Sequence, residues 1–265
     1  MKTLLVFAVA VVCLCVSVPA QQESVDQQHE KEEAAVNPYT EPEVDEIFKQ
    51  LEDVKPLPYE QLKREFPQTF PGPREQLGLV FGTLIADGFL IVSAERKDRV
   101  EDLGRVLLRQ AKALGVGDRV IRHSASLTEL GKRGDWAGMR RELNETQTDV
   151  EQFMTQMKDE KLAHLVGLGG WLRGLEISSG AVELNYSADR ARGLWQRDLI
   201  HYYAEEMKTL PPNVASKPLF QKLHASVDHI RDILDKAPPD TMSLDEVKAL
   251  HTEAREINLL IARVD

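Results

Sequence analysis

Apolar residues recur along most of this chain at three- and four-residue spacing, the period of an amphipathic helix. The clearest stretch is residues 135–158, where Trp136, Met139, Leu143, Thr146, Val150, Phe153 and Met157 share one face. Such a seam packs a helix against its neighbours at a shallow angle, as in bundles. Residues 98–114 repeat the pattern with Val100, Leu103, Leu107, Ala111 and Leu114, and Gly115 and Gly117 end it. A weaker helix is predicted over 118–131.

After Ser187, a good N-cap residue, one helix burying Ala191, Trp195, Leu199 and Tyr202 is predicted to run to Pro211 and Pro212. The next presents Leu219, Leu223, Val227, Ile230 and Leu234, and stops at Pro238 and Pro239. Ser243 and Glu246 have the spacing of a capping box. They open a last helix with Leu244, Val247, Leu250, Ala254, Ile257 and Ile261 inward.

Two segments, 74–94 and 160–184, are apolar on nearly every side and rich in glycine. A helix of that kind belongs in an interior. Upstream, Thr40 and Glu43 also have capping-box spacing, before a short helix carrying Val44, Ile47, Phe48 and Leu51. Prolines 56, 58, 67, 71 and 73 break the chain that follows, leaving room for one helical turn within 59–66.

No segment alternates at period two. The predicted fold class is all-α, an antiparallel bundle of about eight helices. Two organisations fit within the domain 41–265. Either eight ordinary helices follow one another, or two related four-helix halves, 74–158 and 160–265, each begin with a glycine-bearing apolar helix.

The first twenty residues change the picture. Lys2 is followed by a run without charge from 4 to 18, and Val18-Pro19-Ala20 ends on small residues at the −3 and −1 positions. This is the layout of a secretory signal peptide cleaved after Ala20. The run is short for a membrane span, which needs roughly twenty residues. The expected location is periplasmic or secreted. Residues 21–40 are polar and acidic and are expected to form a disordered linker.

Both cysteines, Cys13 and Cys15, lie in the leader. The mature chain therefore has no thiolate for catalysis, for metal binding or for haem attachment. Cleavage removes one of 33 basic residues and none of the 43 acidic ones, leaving a net charge of −11. Basic and acidic residues are mixed along every helix, which argues against a nucleic-acid partner.

Asp87 is the most unusual residue, set among Val80, Leu84 and Ile91 on the face of an apolar helix. Arg173 has the same setting in the second apolar helix. A buried charge without a partner costs several kcal/mol. An Asp87–Arg173 pair across packed helices is therefore expected. Gly78, Gly82 and Ala86 on one helix, and Gly170 and Gly174 on the other, would allow close approach. The helix at 74–94 would also suit a membrane span, were it not for Asp87, which costs about 2.5–3.5 kcal/mol at a span centre. The mature chain is expected not to span a membrane.

His164 shares the inward face of its helix with Leu168, Trp171 and Leu175, whereas His201, His224, His229 and His251 lie off their core stripes. No phosphate loop, dinucleotide fingerprint, G-x-S-x-G or H-E-x-x-H occurs. No catalytic residue, metal site or cofactor is assigned. Asn144 and Asn185 each begin a glycosylation sequon.

The function expected from these features is an exported, non-enzymatic binding or scaffold module with a protein partner. The alternative is a carrier holding a small apolar ligand or a metal or haem cofactor between helices, with Asp87, His164, Arg173 and Tyr202 as the polar groups inside. The first predicts a filled core and an exposed apolar patch, the second a cavity with convergent side chains.

Overall fold

The structure is a computed structural model. It describes residues 51–70, 72–238 and 242–264. The leader, the linker and the helix predicted around Val44 lie outside these residues. Within them are eleven helices and no strand. These are α1 (Tyr59–Leu62), α2 (Arg74–Ser93), α3 (Lys97–Leu114), α4 (Gly117–Arg133), α5 (Trp136–Gln156) and α6 (Glu160–Leu184). They continue with α7 (Ala188–Arg192), α8 (Arg197–Lys208), α9 (Pro212–Ala215), α10 (Pro218–Lys236) and α11 (Leu244–Ile261). The fold is an all-α bundle.

The two apolar helices sit at its centre. Every residue of α2 from Gln76 to Ser93 is buried. By length and composition α2 could cross a membrane, but 94% of its most apolar window is covered by the protein itself. It packs most extensively on α6. The two run parallel: Gly78 meets Leu162, Gly82 meets Val166 and Gly170, and Asp87 meets Arg173.

Glycine is what permits this approach. A Cβ on Gly82 would lie 1.9 Å from the carbonyl oxygen of Val166, and one on Gly169 would lie 2.1 Å from that of Leu79. The backbones touch where any side chain would collide.

Each central helix then heads a ring of four. On one side α2 contacts α3, α3 contacts α4, α4 contacts α5, and α5 returns to α2. On the other, α6, α8, α10 and α11 close the same circuit. Neighbours around the rings run antiparallel, as in Val100 against Gly131 and Gly104 against Ser124 for α3 and α4.

Local signals explain most boundaries. Gly115 and Gly134 adopt left-handed conformations at the C-caps of α3 and α4. The Ser243–Glu246 capping box is fully formed. Ser187 caps a helix by accepting from the Arg190 amide.

Some expectations need correction. The segment after Ser187 is not one helix: α7 ends at Arg192 and α8 begins at Arg197, with Leu194 buried in the break. Trp195 sits in that break and donates to the Leu234 carbonyl at 3.1 Å, satisfying its ring N–H away from the helix stripe. Met157 is 63% exposed because α5 ends one residue before it, and Met154 takes the core position instead.

Candidate functional site

The four residues singled out from sequence fall into two separate pairs. Asp87 and Arg173 meet across the α2–α6 seam, with Arg173 Nε 2.8 Å from Asp87 Oδ1. Arg64, from the loop after α1, donates to the other carboxylate oxygen at 2.7 Å. Arg173 also reaches Glu176 at 2.8 Å and donates to the Leu62 carbonyl at 2.6 Å. Burial works to lower the Arg173 pKa, but the charges of Asp87 and Glu176 hold it above its ordinary value. The network fixes α2, α6 and the chain after α1 to one another. Its groups are spent on each other, and the glycine contact beside it leaves no space between the helices.

His164 and Tyr202 form the second pair, between α6 and α8. Tyr202 Oη and His164 Nδ1 share a 2.6 Å hydrogen bond. His164 Nε2 faces Glu206 at 3.5 Å, and Lys161 approaches the same carboxylate at 3.4 Å. Tyr203 packs against both Tyr202 and Trp171, with ring centroids 5.2 and 5.5 Å apart. Nine residues separate His164 from Arg173, about 13 Å along the helix axis. The cavity bordered by His164, Leu168, Tyr203 and Glu206 holds about 10 Å³. That is the space of one water molecule at most.

Larger spaces open at the surface. One cleft of about 330 Å³ lies against α3, lined by Phe66, Arg99, Arg105 and Arg109. Another of about 380 Å³ lies over α8 and α10, lined by Met207, Leu210, Ala215 and Phe220.

The sequence reading passed over His123. It lies on α4, a helix with few large apolar residues, yet it is the one buried histidine among the described residues. Its Nδ1 is 2.6 Å from Glu142 Oε1, and its Nε2 is 2.9 Å from Asp149 Oδ2, both on α5. Ser126 donates to the second oxygen of Glu142, and Arg122 approaches Asp149 at 3.3 Å. The exposed Glu145 completes a group whose ligand atoms, one each from His123, Glu142 and Glu145, lie within 4.8 Å of one another. The available signal was Glu142, Glu145 and Asp149 at i, i+3 and i+7, one face of a helix. What it lacked was any way to tell which histidine lay opposite. Comparison with protein-family models, with curated proteins and with solved structures gives no match for this chain.

Proposed function

We propose that this protein is an exported, non-enzymatic helical module that acts by binding a protein partner at its surface. The distribution of space carries this reading. The space beside His164, the position nominated for a ligand, holds about 10 Å³, while the larger spaces of about 330 and 380 Å³ open at the surface. The cleft over α8 and α10 is apolar at Met207, Leu210 and Phe220, with the polar His224 and Asp228 also lining it. An apolar centre with polar surroundings is the usual anatomy of a protein interface.

The titrating groups support the same reading. Enzymes gather groups of displaced pKa in one cleft. Here Arg173 is locked in the core, and the other displaced groups include surface pairs such as Glu60 with Lys63 and Glu129 with Lys132. Ser126 donates to Glu142 and not to His123, so this cluster has no serine–histidine relay.

The test is a titration of the folded chain with oleate and with haemin, followed by tryptophan emission. Trp171 lies against Tyr203, which borders the small cavity, and would report an occupant. No saturable change is expected. A saturable one-to-one change would support a carrier and overturn the surface reading.

A further inference from the structure

The cluster around His123 has the parts of a metal site, arranged in order. Its imidazole is held between two carboxylates, with Nδ1 towards Glu142 and Nε2 towards Asp149. Three carboxylates, Glu142, Glu145 and Asp149, gather around one imidazole, with the exposed Arg122 beside Asp149. A divalent cation at Nδ1 would bring positive charge to a point where two carboxylates already converge.

We propose that His123 Nδ1, Glu142 and Glu145 bind a zinc ion between α4 and α5. Zinc takes nitrogen at about 2.0–2.1 Å and carboxylate oxygen at about 2.0–2.2 Å, so tetrahedral ligand atoms stand roughly 3.3 Å apart. The three ligand atoms already lie within 4.8 Å of one another. The 2.6 Å contact of His123 Nδ1 with Glu142 must open to that tetrahedral spacing, and rotation of the exposed Glu145 side chain would bring in the third ligand.

The contact at the other ring nitrogen fits the same reading. A histidine that ligates a metal almost always gives its other ring N–H to a carboxylate, which fixes its tautomer. Asp149 occupies that position on Nε2 at 2.9 Å. Ser126 orients Glu142 in the same manner. One imidazole with two carboxylates suits zinc, whereas calcium takes six to eight oxygens. With three protein ligands, a four-coordinate zinc would have one position left for water.

The test is calorimetric titration of zinc chloride into the whole mature chain, made without a polyhistidine tag and stripped of metal beforehand. One zinc per chain is expected. Since His123 is buried, His123→Gln tests folding as much as binding, and the exposed Glu145 gives the deciding variant. Glu145→Gln is expected to keep the parent melting temperature and weaken binding at least tenfold. Asp149→Asn, which touches no metal, is expected to weaken it about 10–100-fold through the ring. Absence of binding overturns the proposal. So does binding that both variants leave within twofold of the parent, which would place the ion on a surface histidine such as His201 or His229.

Discussion

Arg173 Nε lies 2.8 Å from Asp87 Oδ1, and this contact joins the two central helices where neither can reach water. Removing one member of a buried pair strands the other, typically at about 3–5 kcal/mol. Arg173→Met is expected to cost that much in urea unfolding, with Asp87 left only to Arg64. The double change Asp87→Asn with Arg173→Met should cost clearly less than the two single changes added. Additive costs would mean that the pair is not coupled.

The glycine seam makes a sharper steric prediction. Gly82→Ala puts a methyl 1.9 Å from a backbone oxygen, which no side-chain rotation relieves. The helices must separate, and overpacking of this kind costs about 1–3 kcal/mol or more. Gly72→Ala is the control, because nothing lies within 4 Å of the added carbon. Urea midpoints should fall for the first and stay nearly unchanged for the second.

That seam also shows what was legible in the sequence. Glycine at 78, 82 and 170, with Asp87 and Arg173 each set among apolar residues well inside its helix, was enough to predict the Asp87–Arg173 pair. Arg64 was hidden in a proline-rich segment with no periodicity to orient it. The break between α7 and α8 was hidden too, because Ala191, Trp195, Leu199 and Tyr202 keep helical spacing across it. His123 was missed for a related reason: it faces α5 from a helix with few large apolar residues, so its burial comes from the partner helix. Tyr202 and His164 were correctly placed inward, but helical phase alone could not show that they bond to each other.

Acid should loosen the contact between α8 and α10. Burial works to raise the Asp235 carboxyl, but hydrogen bonds and charge from His201 and Arg197 hold it below its ordinary value of 3.8. A carboxyl depressed in the folded state adds stability that is complete above its unfolded pKa. That stability is lost as pH falls from there through the folded pKa. Asp235→Asn should therefore lower stability at neutral pH and match the parent more closely below about pH 3.8. Urea unfolding at neutral pH and in this acid range checks the sign. A difference that grows towards acid would contradict it.

The last helix depends on its cap. Ser243 accepts from the Glu246 amide while the Glu246 carboxylate accepts from the Ser243 amide. Ser243→Ala is expected to cost about 1 kcal/mol. Amide exchange should quicken in the first turn of α11, with the α2–α6 seam unaffected.

The most direct test of an exported module with a filled core is mass spectrometry, native and denaturing, on the chain expressed with its first twenty residues. The expected mass is that of residues 21–265, with no organic ligand in the native spectrum. A chain that keeps its leader would contradict export. A bound organic mass, lost on denaturation, would contradict a filled core and support a carrier.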